Sequence, residues 1–350
     1  MKTTVLSFAA LVAASLLPAQ DKAPAQAPNP KTKAHEALAM LAGDWQIHCK
    51  MAAVPGVPGM EKAQESTGTE HVELICNGLW VKSTIDSTHQ GKPFQGIWLV
   101  GYDPFAKTYK SIWASSMDEP ACEAVVTWDE KTKTWTSTGK APTGEAVRSQ
   151  YVFKDNDNSI ETCWMTGADG KEVECMQMMR KRGKGAMARD ASASSDMPVA
   201  KELALLAQGV GNWTAKVTMT MPGQPASEET CTEQVAKICN GKWTWSNFKG
   251  SMMGMPFEGH ALCGYDNIAK KYVTYWLDSC CATASRVEGS LDEAKRQFTF
   301  SGSCVDPQGK PMTIKQIYSQ PDADTRSLHM TSTGAEGAHE MKIAYTRVKG

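Results

Sequence analysis

The chain has 350 residues, with 37 Lys and Arg against 38 Asp and Glu and a formal net charge of −1. Charge that is near zero and evenly mixed leaves no electrostatic footprint for nucleic acid or for an anionic membrane, and both are excluded as partners. At 41% hydrophobic residues, the composition is that of a globular protein with ordinary cores.

The first twenty residues, "MKTTVLSFAALVAASLLPAQ", place one Lys before an apolar run rich in Ala, Leu and Val, then small residues and Pro. That is the layout of a secretory signal peptide over 1–20, and the run is too short for a membrane span. The expected compartment is periplasmic or extracellular. Removal of the segment takes away Lys2 and moves the formal charge from −1 to −2. The first Cys is Cys49, so no lipid anchor is expected behind the leader. Residues 21–33 form a Pro/Ala tail with the composition of a disordered segment.

Eleven Cys in an exported chain read by default as disulfides, with at least one thiol left over because the count is odd. No C-x-x-C occurs, and the only close pair is Cys280-Cys281. Cys163 and Cys175 could face each other across a hairpin at "TGADGK".

The chain repeats itself. "CNGLW" at 76–80 returns as "CNGKW" at 239–243, "PFQG" at 93–96 as "PFEG" at 256–259, and "GYDPFAKTY" at 101–109 as "GYDNIAKKY" at 264–272. Trp113 returns as Trp276, and all four matches share an offset of 163 residues. The Gly-x-Trp of "LAGDW" (41–45) and "GVGNW" (209–213) is offset by 168, which puts a five-residue length difference in the loop between Trp45 and Cys76. The chain is therefore two homologous domains, 34–182 and 199–349, each of a size for one core. The small, polar segment 183–198 between them reads as a flexible linker.

Each repeat opens with a short helix, "HEALAML" or "AKELALLA", with Asp196 and Pro198 as start signals for the second. The remainder of each repeat is strand. Runs such as "PFQGIWLVGYD" and "YKSIWASSM" alternate with period two, and turn clusters such as "DPFAK", "DEKTK" and "GADGK" interrupt them. About ten short strands per repeat, joined in order by tight turns, predict an antiparallel meander that removes its exposed edges by closing. The predicted fold class is all-β: two tandem up-and-down antiparallel barrels, each opened by a helix that plugs one end. Gly43 and Gly211 would let the chain turn into the first strand, and Trp45 and Trp213 would cover the base of each core.

On these residues the chain resembles the calycin superfamily of lipocalin-like barrels, which carry a Gly-x-Trp on the first strand. The resemblance implies a basic residue late in the last strand packed over the indole, at Arg182 in "MMRKR" and Arg347 in "YTRVK". More narrowly, "MMGMPFEGHALCGYDNIAKKYVTYWLDS" looks like the signature of family 1579 of the domains of unknown function, over nearly the whole second repeat. The first repeat keeps "PFQG", "GYD" and the tryptophans but has "STHQGK" in place of the Met-rich loop. Membership implies a calycin-like barrel and no particular activity.

Catalytic templates fail. "HEALA" lacks the second His of a zincin helix, no G-x-S-x-G is present, and "GVGNW" lacks the third glycine of a phosphate cradle. No catalytic residue, metal site or cofactor is predicted. Two alternatives stand beside that reading: haem ligated by His260, and Cu(I) on Met252, Met253 and Met255 of "GSMMGMP". The remaining signal is aromatic. Trp80, Trp98, Trp113, Trp243, Phe257, His260, Trp276 and Asp278 are the candidate lining of a partly polar cavity. The leading reading is an exported, non-enzymatic protein binding a small, largely apolar molecule in its barrels, unequally in the two because only the second keeps the family loop. A structural or interaction protein with filled barrels, and a hydrolase or isomerase using the cavity, stay open.

Overall fold

The computed structural model describes residues 31–183 and 201–349, except 55–56, 58–59, 118–119, 168–169, 222–224, 253, 307–308 and 336. The expected leader, the tail up to residue 30 and the linker 184–198 lie outside the described residues.

Each repeat is a closed, ten-stranded antiparallel barrel. The first comprises β1 (Gly43–Met51), β2 (Gln64–Ile75), β3 (Trp80–His89), β4 (Lys92–Asp103), β5 (Thr108–Ser115), β6 (Cys122–Asp129), β7 (Thr134–Lys140), β8 (Ala146–Phe153), β9 (Asn158–Thr166) and β10 (Glu172–Arg182). The second comprises β11 (Gly211–Thr220), β12 (Ser227–Ile238), β13 (Trp243–Met252), β14 (Met255–Asp266), β15 (Lys271–Asp278), β16 (Ser285–Asp292), β17 (Gln297–Val305), β18 (Pro311–Ser319), β19 (Thr325–Gly334) and β20 (Gly337–Arg347). Every strand pairs with its neighbour in sequence, and closure is made by β1 with β10 (Trp45 opposite Arg182) and β11 with β20 (Trp213 opposite Arg347).

The opening helices are shorter and tighter than expected. The first is a 3-10 helix, Lys33–Met40, and the second is a 3-10 turn, Lys201–Leu203, running into a single α-helical turn, Ala204–Gln208. Such short pieces cannot gain from α-helical cooperativity; they are fixed by apolar side chains driven under the barrel, Leu38, Leu41 and Leu205 all being buried.

At the base of each barrel an indole lies under an arginine. The Trp45 indole N–H donates to Leu41 O at 3.1 Å, and the Arg182 guanidinium carbon lies 4.0 Å from the ring centre. Arg182 also donates to Ala42 O (2.7 Å), just past the helix end, and to Asn156 O (3.0 Å) in the turn between β8 and β9, its fork tying the two together. Trp213 and Arg347 repeat this with Gly209 O (2.8 Å), Val210 O (2.7 Å) and a stacking distance of 4.2 Å. Gly43 and Gly211 sit at φ +136° and +131°, and a Cβ at either would collide with the arginine, so glycine answers both a backbone and a space requirement.

The two barrels pack against each other through the outer faces of β3–β5 and β13–β15. Trp80, Ile97, Leu99, Ile112 and Ala114 form one continuous buried cluster with Trp243, Trp245, Leu262, Tyr275 and Leu277. The turn "CNG" at 239–241 reaches across the join: Asn240 donates its backbone N–H to Gln95 Oε1 (3.0 Å) and its side chain to Pro93 O (3.1 Å). Tyr275 donates to Glu123 Oε1 (3.0 Å), which also takes Arg286 (3.1 Å).

Among the described residues no disulfide joins any of the eleven cysteines, so the default expectation of disulfides is corrected. Most are distributed singly on different strands as small apolar fillers; Cys76 and Cys239 sit buried in the inter-barrel cluster, where burial pushes both thiols far up.

Candidate functional site

Residues directly opposite in an antiparallel pair share a face, so the register assigns each side chain to the lumen or to the outside. In the first barrel the lumen receives Trp45, Glu70, Ser83, Phe94, Trp98, Ser111 and Trp113 from β1–β5. From the far side it receives Ser137, Ser149, Glu161 and Cys163. Trp98, Trp113, Ser137, Ser149, Glu161 and Cys163 point inward yet remain partly exposed.

The predicted cavity residues therefore divide. Trp98, Trp113, Phe257, Trp276 and Asp278 are luminal. Phe94 and Trp113 stack at 6.4 Å and 25°, and their counterparts Phe257 and Trp276 at 6.4 Å and 18°. Each Trp lies over a glycine, Gly96 or Gly259, where any Cβ would enter the indole. Trp80, Trp243 and His260 are corrected: they lie on outer faces, turned away from the lumen and buried between the barrels. His260 stacks on Trp245 (5.0 Å, 17°), and its ring nitrogens meet Asn247 Oδ1 (3.0 Å) and Glu258 Oε1 (3.2 Å). Burial holds its pKa down, against the opposing pull of Glu258. A ring so occupied cannot ligate a haem in the barrel, and the haem alternative fails on geometry.

Asp278 is a luminal carboxylate with every contact internal. Oδ2 accepts the Trp276 indole N–H (2.9 Å), and Oδ1 accepts the amides of Cys280 and Cys281 (2.8 Å each). Burial raises its pKa, with these donors opposing. Its counterpart in the first barrel, Ser115, accepts the Met117 amide (3.1 Å), so both act as turn caps. In the Met-rich loop Met252 pairs directly with Met255 at the hairpin end, and Met253 lies outside the described residues. Among the described residues no three His, Cys, Asp or Glu side chains are grouped to hold a metal ion.

A buried charge cluster beside each base tryptophan is absent from the sequence-based expectations. In the first barrel Arg180 Nε donates to Glu70 Oε2 at 2.6 Å and Nη2 to Glu161 Oε2 at 2.8 Å, and Ser83 donates to Glu70 Oε1 at 2.6 Å. The Arg180 and Glu70 side chains are each 4% exposed. Desolvation would lower the Arg180 pKa, but Glu70 and Glu161 outweigh it, so the guanidinium stays charged. In the second barrel Glu233 takes Ser246 and Arg326, and Arg326 also stacks on Trp213 (4.2 Å) and Tyr345 (4.3 Å). A signal for the carboxylates does exist: "TEHVELICNG" and "TEQVAKICNG" carry Glu70 and Glu233, and Ser83 and Ser246 share the same offset of 163. No such signal marks the arginines, which come from different strands.

A family model described as "Protein of unknown function (DUF1579)" matches residues 30–182 and 199–347. No curated protein matches the chain. Solved structures to which it is similar include a DUF3598-family protein of unknown function from Nostoc punctiforme, with 11% identity over 91% of this chain and 100% of that one and a TM-score of 0.27. Rv2717c from M. tuberculosis is 14% identical over 44% of this chain and 99% of that one, with a TM-score of 0.35. The S-type phycobiliprotein lyase CPES from Guillardia theta is 10% identical over 42% and 92%, with a TM-score of 0.32.

Proposed function

We propose, given that the chain belongs to the DUF1579 family through both of its halves, that it is an exported, non-enzymatic carrier taking a small, largely apolar molecule into its barrels. Export rests on the leader-like residues 1–20, and the protein acts in solution with neither nucleic acid nor membrane as partner. One observation carries the binding reading: in the first barrel partly exposed indoles, Trp98 and Trp113, face a partly exposed wall of small polar side chains, Ser137 and Ser149, inside a closed sheet. A packed core would have filled that wall with branched apolar residues; a lumen with one aromatic side and one hydroxyl side suits an apolar body with a single hydrogen-bonding group. The luminal carboxylates argue against chemistry. Glu70 and Glu161 are bound to Arg180, and Asp278 to backbone amides and an indole.

The two lumens are lined differently. Trp98 is replaced by Ala261, while Ser137 and Ser149 are replaced by Phe300 and Gln316. Occupancy is therefore unequal, with the first barrel the better receptor for a molecule that bonds to the serine wall. Native mass spectrometry of the full chain purified from an exporting host tests this. One organic adduct, displaced from a Ser149→Phe variant and retained by Gln316→Ala, supports the reading; a bare polypeptide mass from every host fraction would sink it.

A further inference from the structure

We propose that each barrel carries a row of sulfur ligands near the end away from its tryptophan, and that the row in the first barrel is a Cu(I) site. Met51 on β1 stands directly opposite Met176 on β10, which stands directly opposite Cys163 on β9. One pair deeper, Cys49 faces Met178. All five side chains are luminal, and Met51, Met176 and Cys163 are partly exposed. Neighbouring strands are about 4.8 Å apart, so three sulfur side chains in one row meet over a span of about 10 Å. The unbranched thioethers have the rotamers to converge, and the ion would replace the polar contact of Gln64 Nε2 with Met51 Sδ at 3.5 Å. The second barrel repeats the row at the same place as Met219, Met341 and Met330.

Packing alone does not require sulfur at these positions: branched aliphatics fill the neighbouring ones, Ile47 and Val217 among them. What the row itself offers is a set of soft donors, the preference of a monovalent copper ion rather than of Zn²⁺ or Mg²⁺, and the neighbouring luminal carboxylate, Glu161 opposite Met178, is already bound to Arg180. Cys163 is the thiol in the first row. On binding it would release its proton to solvent, and one thiolate with one Cu(I) leaves a centre of zero net charge, which a partly buried site tolerates. The second barrel offers thioethers only and would hold the ion more weakly. This site is distinct from the loop Met252–Met255, and it does not depend on any organic ligand.

The test is a competition titration of the reduced, full-length chain with Cu(I) against bicinchoninate under anaerobic conditions. One equivalent should leave the probe. Cys163→Ser or Met176→Leu should weaken that equivalent by about tenfold or more, and Met341→Leu should leave it unchanged. Met51→Leu, at the rim, serves if the deeper variants misfold by circular dichroism. The neighbours Cys280, which is exposed, and Cys281 are the obvious competing thiols. Transfer that vanishes in the Cys280→Ser/Cys281→Ser variant, transfer that survives all three row substitutions in folded protein, or no transfer at all overturns the site.

Discussion

Arg180 and Arg326 do the same work in the two barrels from different strands. Arg180 stands on the last strand of its barrel directly opposite Ser159; Arg326 stands on the strand before, directly opposite Tyr345. In register terms Ser159 and Arg180 have exchanged character with Arg326 and Tyr345, while Glu70 and Glu233 have stayed put. An arginine that changes strand and still meets the same carboxylate points to the ion pair, not the position, as the requirement. A buried pair of this kind is weak evidence for stability, but one partner without the other is costly. Arg180→Met should therefore lower the unfolding free energy by about 3–5 kcal/mol in urea, through stranding Glu70. The triple change Glu70→Gln/Glu161→Gln/Arg180→Met should recover most of that loss. If the single and triple variants unfold at the same midpoint, the cluster is held by something other than charge balance.

The lid over each base tryptophan invites a finer substitution. Arg182 combines a face-on contact with Trp45 and bonds to carbonyls at the helix end, and its side chain is 33% exposed. Lysine keeps the charge but loses the planar fork. Arg182→Lys and Arg182→Ala should thus be nearly equal in cost, about 1–2 kcal/mol each by thermal unfolding. A fully stabilising lysine would mean that charge alone closes the barrel.

The architecture is legible because a fixed 163-residue offset and the Gly-x-Trp pairs are properties of the chain itself, and alternation with regular turns leaves few ways to protect ten strand edges. Sidedness is not legible. "GIWLVGYD" on β4 is buried on both faces, since Ile97 and Leu99 meet the other barrel while Val100 faces inward and Trp98 joins it. Where an outer face is itself an interface, period two no longer tells inside from outside, and the expectation that Trp80, Trp243 and His260 line the lumen fails for that reason. The Glu70 and Glu233 carboxylates lie in the repeat and can be read from it. Their arginines cannot, because pairing across a closed barrel is set by register between distant strands.

His260 makes the inter-barrel contact sensitive to acid. Burial holds its folded pKa below the ordinary 6.5, so folding favours the neutral ring. The unfolded chain binds the proton more readily, so this contribution is complete above pH 6.5 and is lost as pH falls through the depressed folded value. Lys82, placed over the ring of Trp245 at 5.3 Å, adds repulsion to the protonated imidazole, while Glu258 opposes it. Thermal melts at about pH 7.5 and about pH 5, on either side of the ordinary imidazole range, should show a larger acid-induced drop in the wild type than in His260→Gln. Equal drops would place the acid sensitivity elsewhere, His35 being the other buried imidazole whose pKa burial lowers.

The hairpin of β9 and β10 brings two thiols together on adjacent strands. Cys175 sits at the irregularity between Glu174 and Met176, and its thiol donates to Cys163 O at 3.3 Å. A hydrogen bond with the Cys175 sulfur holds the Cys163 thiol above its ordinary pKa, with burial adding to the effect. Two cysteines on adjacent strands, one already hydrogen-bonded to the other's carbonyl, need little backbone movement to join. In a glutathione buffer poised like an oxidising compartment, peptide mapping should find Cys163–Cys175 as the first disulfide, with the free-thiol count falling by two. The bond closes a loop of about a dozen residues, which corresponds to about 3 kcal/mol of stabilisation in the chain-entropy model. It also removes Cys163 from the sulfur row, so copper uptake by the first barrel should fall in step with that disulfide and return on reduction. Oxidation that begins instead at Cys280 and Cys281, with Cys163 still alkylated by iodoacetamide, would show that contact in the folded hairpin does not govern which thiols react.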